Sequence, residues 1–352
     1  MERITLDGKC ILITGGAGFI GSNVIRRLFQ ETKGTTVVNI DNMSDYYDVN
    51  LKKWRLRQLE QMVPKGIRYV FVKGDIASKE IVGRLFEQYR PQVVVNLAAQ
   101  AGVRYSIVNP DACVQTNIIG FYNILEACRQ WPVNHLIYAS SSSIYGSNSK
   151  VPYTTKDKVD TPVSLYAATK KTDELMAHVY SQLYSIPTTG LRFFTVYGPA
   201  GRPDMAYFSF TNKLVRGESI DIYNYGNCQR DFTYIDDIVE GVVRVMHGPP
   251  QAHNDEQGQS LPPYALYNIG NNKPIRLLDF VDILQHELVN AQVLPPDYDF
   301  EHHRRLVPMQ PGDVTVTYAD TSGLERDFQF KPSTPLQTGL RQFATWYKQF
   351  HG

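Results

Sequence analysis

Tyr166 and Lys170 are the two residues of this chain whose types and spacing most directly suggest chemistry. Residues four apart lie on the same face of an α-helix, so a helix here would place the phenol beside the ammonium. A neighbouring positive charge favours the phenolate form of a tyrosine, which makes Tyr166 a candidate general acid or base. Surface helices show the same spacing without any function, so the pair needs support from the surrounding chain.

The helix that must carry this pair is predicted from its start and from its apolar spacing. Pro162 disfavours helix in the residue before it, and Ser164 can cap the first turn. Mostly apolar residues recur at helical spacing at Ala168, Thr172, Leu175, Val179 and Leu183.

The composition limits the class of protein. The chain has 352 residues, more than one hydrophobic core usually supports, so we expect two lobes. Its 36 basic and 35 acidic residues leave a net charge of +1, which argues against nucleic acid or an anionic membrane as a partner. The four cysteines are scattered without metal-type spacing, and neither a leader nor a membrane-spanning apolar stretch is visible. We therefore expect a cytoplasmic protein with reduced cysteines and no metal site.

A glycine-rich turn between a predicted strand and a predicted helix is the second chemical signal. Residues 9–14 predict a buried strand, and the turn after it reads Gly15-Gly16-Ala17-Gly18-Phe19-Ile20-Gly21. Glycines let the backbone approach a phosphate, and a helix N-terminus favours an anion. Asp41 ends the next strand, about where an acid would bind an adenosine ribose and repel a 2′-phosphate. We therefore predict NAD rather than NADP, the alternative being a glycine turn without a ligand.

Further strands and helices alternate along the chain, which predicts a Rossmann-type, doubly wound parallel sheet with its site at the carboxyl ends of the strands. Strands are predicted at 9–14, 35–40, 67–72, 91–99, 135–139 and 187–197. Asp75 follows the third strand and could contact an adenine amine or simply cap a turn. The fifth strand runs into four serines, residues 140–143, which could be an ordinary loop or part of the site.

The character of the sequence changes after residue 196, and we predict two domains. Residues 1–196 form the NAD-binding Rossmann domain, to which an apolar helix and a polar insertion, 235–262, return. Residues 197–234 and 263–352 form a smaller, mostly C-terminal α/β lobe for the substrate.

Taken in order, the glycine turn, the serine run, Tyr166-x-x-x-Lys170 and Arg230-Asp231-Phe232 resemble the extended short-chain dehydrogenase/reductases that act on nucleotide sugars. The resemblance covers nearly the whole chain. Four further segments are more similar to UDP-glucuronate 4-epimerases within that group: 41–48, 98–106, 191–199 and 201–205. The resemblance implies bound NAD, a UDP-hexuronic acid as substrate, polysaccharide precursors as products and a homodimer.

The resemblance also implies roles for individual residues. Tyr166 would be the catalytic base, Lys170 would promote its ionisation and bind the nicotinamide ribose, and Ser141 would hold the reacting oxygen. The other implied cofactor contacts are Gly15, Gly18, Phe19, Ile20, Gly21, Asp41, Asn42, Asp75, Ile76 and Asn117. Arg230 would hold the UDP diphosphate, while Gln310 stands where related UDP-galactose epimerases carry a second diphosphate arginine.

The implied reaction passes through a 4-ketose, which in a hexuronic acid is a β-keto acid that can lose carbon dioxide. Decarboxylases and dehydratases of this superfamily carry an acidic residue after the catalytic serine or threonine, whereas this chain has Ser142 and Ser143. We therefore expect epimerisation without decarboxylation. Ser142, Ser143, Thr195 and Arg202 are our candidates for binding the substrate carboxylate, with Arg104 as a further contact to sugar or phosphate.

Alternatives remain open at this stage. Arg202 could order its loop rather than bind a carboxylate. The enzyme could instead epimerise UDP-glucose or UDP-N-acetylglucosamine, or decarboxylate UDP-glucuronate. A cofactor-sensing protein on the same fold could dispense with Ser141, Tyr166 and Lys170, all of which are present here.

Overall fold

The computed structural model describes residues 3–309 and 315–352. In chain order its strands are β1 Cys10–Thr14, β2 Thr36–Asp41, β3 Arg68–Lys73, β4 Val93–Asn96, β5 His135–Ser141, β6 Thr188–Phe193, β7 Thr195–Tyr197, β8 Ile220–Ile222, β9 Gln229–Tyr234, β10 His253–Asn254, β11 Ser260–Leu261, β12 Tyr264–Ile269, β13 Pro274–Arg276, β14 Arg304–Leu306 and β15 Val316–Thr317. Its α-helices are α1 Phe19–Glu31, α2 Val49–Met62, α3 Lys79–Tyr89, α4 Tyr105–Val108, α5 Pro110–Cys113, α6 Phe121–Gln130, α7 Leu165–Tyr184, α8 Ala206–Val215, α9 Ile235–Met246, α10 Leu277–Asn290, α11 Ser322–Phe328 and α12 Leu336–His351. A π-helical segment, Val114–Gly120, joins α5 to α6, and short 3₁₀ turns lie at Ser142–Tyr145 and Tyr223–Gly226.

Seven strands form one parallel sheet in the order β12-β6-β5-β4-β1-β2-β3. The order reverses direction between β1 and β4, and in an open parallel sheet ligands bind at such a point, beyond the carboxyl ends of the strands. The predicted Rossmann-type fold is confirmed.

Alternate residues of β1 face the two helical layers that cover this sheet. Ile11 and Ile13 pack into a core with Leu28 of α1, whereas Leu12 packs into a second core with Leu125 of α6. Each of these side chains is fully or almost fully buried, which contributes about 1.5 to 3 kcal/mol per side chain. A strand buried on both faces explains the continuous apolar run that predicts it.

The second lobe is built on β9, which pairs with β7, β13 and β15, and on the short pair β8 and β14. The strand predicted at 187–197 is therefore two strands, since β6 belongs to the main sheet and β7 to the small one. The predicted domain boundary at 263 is wrong as well, because β12 lies beside β6 as the edge strand of the main sheet.

Helix α7 presents a different face to the core from the one its apolar residues suggest. Leu175, Val179 and Leu183 are exposed, whereas Lys170, Asp173 and Glu174 are buried against the sheet. The predicted helix is therefore present, but its apolar stripe faces outward.

Within 3–309 and 315–352, none of the helices combines the length and apolarity that crossing a bilayer requires. Gln310, which stands where related epimerases carry an arginine, lies outside the described residues.

Candidate active site

A cavity of about 830 Å³ opens at the carboxyl ends of the parallel strands. The predicted site residues on its wall are Gly15, Gly18, Phe19, Ile20, Gly21, Asp41, Asn42, Asp75, Ile76, Arg104, Ser141, Ser142, Ser143, Tyr166, Lys170, Thr195 and Arg202. The structure thus brings together residues from loops that are far apart in the sequence. It does not place Asn117 or Arg230 on the wall.

The glycine turn lies between β1 and α1 and runs tightly against the neighbouring strand. Gly15 has a φ of 72°, and a Cβ added there would lie 2.8 Å from the backbone nitrogen of Ala98. Only glycine fits such a position without strain. Beyond Gly18, the first turn of α1 lines the cavity, where backbone N–H groups have no acceptor in a preceding turn. A narrow backbone cradle ending in free N–H groups fits the pyrophosphate of a dinucleotide.

Asp41 closes the other side of this turn. Its carboxylate accepts hydrogen bonds from the backbone N–H of Ala17 at 3.0 Å and of Met43 at 2.8 Å. Asp75 accepts one from Asn42 at 2.9 Å and one from the backbone N–H of Ala77 at 2.8 Å. Asp75 therefore acts as a turn cap and also lines the cavity, so both interpretations of this residue fit its position.

Arg55 of α2 holds the glycine turn against the loop that follows β7. Its buried guanidinium donates to the carbonyl oxygen of Ala17 at 3.0 Å and to those of Ala200 and Gly201 at 2.7 and 2.9 Å. It also donates to the Tyr47 hydroxyl at 2.7 Å. The sequence gives no sign of this role, because Arg55 lies among other basic and polar residues of α2 and so resembles a solvated surface residue.

The serine run is where β5 ends and a 3₁₀ turn begins. Ser141 Oγ accepts hydrogen bonds from the Ser143 backbone N–H at 3.2 Å and from Ser143 Oγ at 2.8 Å. These contacts fix the Ser141 side chain at the cavity wall and leave its own hydroxyl hydrogen available to a ligand.

Helix α7 begins at its predicted cap and carries Tyr166 and Lys170 to the cavity. The Ser164 hydroxyl accepts a hydrogen bond from the Ala167 backbone N–H at 3.1 Å. Lys170 Nζ donates to the Ala139 carbonyl oxygen at 2.9 Å and to the Asp173 carboxylate at 3.0 Å. Burial opposes the charge of Lys170, but attraction to Asp173 and to Tyr166 outweighs it and raises the pKa of the lysine. The ammonium beside Tyr166 is therefore charged, as general acid-base chemistry by the tyrosine requires.

A buried ion pair locks α7 to the strands that position the serines. Glu174 accepts two hydrogen bonds from Arg192 of β6, at 2.8 and 2.9 Å, and one from Ser140 Oγ at 2.7 Å. Arg192 also donates to the Tyr145 hydroxyl at 3.0 Å. The helix with the Tyr–Lys pair and the turn with Ser141 thus share one rigid frame.

Asn117 lies in the π-helical segment and is almost fully buried. It accepts from the Gln100 backbone N–H at 2.8 Å and donates to the Thr169 hydroxyl at 2.9 Å. In this structure it therefore braces the loop after β4 against α7 rather than facing the cavity.

Arg202 lines the cavity with its guanidinium already engaged on one edge. Its Nε and Nη2 donate to the two carboxylate oxygens of Asp204, at 3.0 and 2.6 Å, and it lies 5.9 Å from the ring centre of Tyr46. Burial favours the neutral form of Asp204, but the pairing with Arg202 outweighs burial and lowers the pKa of this carboxyl. Nη1 remains to face a ligand. Asp204 and Tyr46 line the cavity as well, and the sequence interpretation did not single them out.

Arg104 and Arg230, the other two arginines predicted to bind the substrate, lie in different surroundings. Arg104 is exposed at the cavity, with its guanidinium 5.5 Å from the ring centre of Tyr223. Arg230, on β9, donates to the carbonyl oxygens of Gln229 at 2.9 Å and of Thr315 at 3.2 Å. Within the described residues no group of three or more His, Cys, Asp or Glu side chains has the arrangement of a metal site.

Known proteins resemble this chain over nearly its whole length. The model of the NAD dependent epimerase/dehydratase family matches residues 11–270. The chain is 47% identical to Protein CapI of Staphylococcus aureus, covering 97% of this chain and 99% of that protein. It is 44% identical to UDP-glucuronate 4-epimerase 4 of Arabidopsis thaliana, covering 99% of this chain and 77% of that protein. A crystal structure of UDP-glucuronic acid 4-epimerase from Bacillus cereus, in complex with UDP-glucuronic acid and NAD, superposes with a TM-score of 0.81 at 30% identity, over 97% of this chain and 99% of that one. Since the family model spans most of the chain and the identities are this high, the protein belongs to the NAD dependent epimerase/dehydratase family.

Proposed function

We propose that this protein is a UDP-glucuronate 4-epimerase, which interconverts UDP-glucuronate and UDP-galacturonate without net redox or decarboxylation. The observation that carries this proposal is that Tyr166, Lys170 and Ser141 line the same cavity as the glycine turn. The Arabidopsis relative is named a UDP-glucuronate 4-epimerase, and the B. cereus structure holds UDP-glucuronic acid together with NAD.

The residues of the cavity fit NAD. The glycine turn and the first turn of α1 would hold its pyrophosphate, Asp41 and Asn42 its adenosine ribose, and Lys170 the ribose next to the nicotinamide. When bound, NAD accepts the hydrogen of sugar carbon 4 as hydride and later returns it, so that it is regenerated in each cycle.

The residues of this chain then have the following tasks. Tyr166 takes the proton from the 4-hydroxyl and gives it back after the ketose has turned its other face to the cofactor. Ser141 donates a hydrogen bond to the reacting oxygen, which carries developing negative charge. Lys170 stabilises the phenolate, and the buried frame around Glu174 keeps these groups in register.

We propose that the substrate carboxylate is held by Arg202, with Ser142, Ser143 and Thr195. These four residues lie on the cavity wall, and Nη1 of Arg202 is not used by Asp204. A carboxylate held in one orientation cannot rotate out of the sugar plane, which keeps the keto acid from losing carbon dioxide. The neighbouring Ser142 and Ser143 offer no acidic group for chemistry at carbon 5.

The carboxylate role is tested by Arg202→Ala. A lost charge-assisted hydrogen bond of about 1.5 to 3 kcal/mol predicts a roughly 10- to 100-fold fall in kcat/KM for UDP-glucuronate. Residual turnover of UDP-glucose should change little. The matched control is Arg216→Ala, because Arg216 is outside the cavity. Equal losses on both sugars would remove this role from Arg202.

Product analysis tests the function itself. Purified protein is incubated with UDP-glucuronate, without added NAD, and the nucleotide sugars are separated by chromatography. We expect a UDP-galacturonate peak, and its absence with Tyr166→Phe. UDP-xylose or UDP-arabinose as the main product would show a decarboxylase instead, and turnover of only neutral UDP-hexoses would show the other epimerase.

We also propose a homodimer formed through α7 and the helix before it. Leu175, Val179 and Leu183 on α7 and Ile119 and Tyr122 on the preceding helical segments are large apolar side chains exposed on the single chain, and α6 packs against α7. An apolar face of this kind is typical of an interface. Val179→Glu together with Leu183→Glu should halve the mass measured by sedimentation, while Val215→Glu, on α8, should not.

We also propose that the protein is cytoplasmic, because its four cysteines are free thiols.

A further inference from the structure

Asp173 is a buried carboxylate next to the lysine of the active site, and the mechanism above does not use it. Its side chain is only 3% exposed, and its Oδ2 lies 3.0 Å from Lys170 Nζ. Its Oδ1 is buried without a hydrogen-bond partner among the described residues. A buried carboxylate with one oxygen lacking a hydrogen-bond donor lowers the free energy of unfolding, so its presence here needs an explanation.

The contacts of Lys170 give a geometric reason. An ammonium has three hydrogens, and Lys170 uses one on the Ala139 carbonyl and one on Asp173. The third is left for the cavity, which Lys170 lines together with Tyr166. Asp173 therefore helps to determine where the ammonium sits relative to the phenol and to a ribose.

Asp173 also offsets charge. A carboxylate beside the ammonium weakens the positive field at Tyr166, so the phenol releases its proton less readily than it would beside Lys170 alone. Burial raises the pKa of Asp173 to about 7, against the attraction of Lys170, so its charge changes near neutral pH. The other titratable groups coupled to this pair are Glu174 on α7, Tyr138 on β5 and Cys113 on α5, and beyond Glu174 lie Arg192 on β6 and Tyr264 on β12.

We propose that Asp173 is a positioning residue that sets the pH at which Tyr166 becomes active, by orienting Lys170 and offsetting part of its charge. This inference rests on the proposed function, since it assigns Asp173 a task within the same site.

The size of the effect follows from the helix. Seven residues at about 1.5 Å each separate the backbones of Tyr166 and Asp173 by roughly 10 Å along the helix axis, and we take this as the scale of the distance between their charges. At that distance, with an effective dielectric constant of about 20, one unit charge shifts a proton equilibrium by about one pH unit.

The test is the pH profile of kcat/KM for Asp173→Asn, which keeps an oxygen acceptor for Lys170 but removes the charge. We expect the acidic limb of this profile to move to lower pH than in the natural protein, by up to about one pH unit where Asp173 is fully charged. Asp111→Asn, an exposed aspartate on α5, is the matched control and should leave the limb in place. A shift below about 0.3 pH unit, or one to higher pH, would overturn the proposal.

The readout stays separate from the proposed function, because absence of epimerisation at every pH would reject the function, whereas an active enzyme with an unmoved limb would reject only the role of Asp173.

Discussion

Glu174→Gln offers a sharp test of the frame that holds the active site together. The Glu174–Arg192 pair joins α7 to β6, with side chains only 3% and 2% exposed. Glutamine is isosteric with glutamate, so the substitution removes the charge and turns one acceptor into a donor that faces Arg192. The guanidinium is then buried without a counter-charge.

The expected cost follows from these contacts. The hydrogen bond between Arg192 Nη2 and Glu174 Oε2, at 2.9 Å, is lost outright, and a bond to a charged group contributes about 1.5 to 3 kcal/mol. Leaving a buried charge unpaired costs about 3 to 5 kcal/mol. We therefore expect the free energy of unfolding to fall by about 3 kcal/mol or more.

The assay is equilibrium unfolding in urea at one fixed protein concentration, with an unchanged slope as the sign that the same surface unfolds. Glu31→Gln is the control, since Glu31 pairs with Arg27 but is 41% exposed, and such a pair contributes about 0 to 1 kcal/mol. A double variant, Glu174→Leu with Arg192→Met, should be more stable than the sum of the single losses predicts. A loss below about 1 kcal/mol for Glu174→Gln would refute the reasoning.

Two further predictions follow from the glycine turn and from a buried histidine. Gly15→Ala should weaken NAD binding at least about tenfold, because Gly15 has a φ of 72° and an added Cβ would meet the Ala98 backbone. A binding titration measures this loss. Gly83→Ala is the control and should bind NAD normally, because the space around Gly83 is open. His135 is fully buried, and burial lowers its pKa to about 3. Between about pH 6.5 and 3 the unfolded chain therefore binds a proton at this residue that the folded chain does not bind. As the pH is lowered through that window, this group makes the free energy of unfolding fall by about 1.4 kcal/mol per pH unit. Urea unfolding at several pH values should show a shallower decline for His135→Gln, and an identical decline would contradict this assignment.

The sequence is informative where function imposes a spacing. The Tyr–Lys interval, the glycine turn after a buried strand and the acid after the second strand depend on local geometry, so they are readable from the chain itself. The same holds for the alternation of strands and helices, which predicts the parallel sheet that the structure confirms.

The rest depends on contacts that are distant in sequence. Only Phe194 lies between β6 and β7, and neither glycine nor proline stands at that position, so nothing in the sequence marks the point where the chain leaves the main sheet. Strand β12 becomes visible as part of that sheet only through its pairing with β6. Asp173 and Arg55 look like solvated helix residues, because their burial is created by β5 and by the loop after β7. The apolar stripe of α7 misleads for a related reason, since it faces away from the chain's own core.

The most direct test of the account follows the hydrogen at carbon 4. UDP-glucuronate carrying deuterium at carbon 4 is incubated with the purified protein in ordinary water, and the UDP-galacturonate formed is analysed by mass spectrometry and NMR. Because the hydrogen leaves as hydride and returns from the same bound cofactor, we predict that the product keeps its deuterium at carbon 4. Exchange of that deuterium for solvent hydrogen would contradict the hydride mechanism on which the account depends.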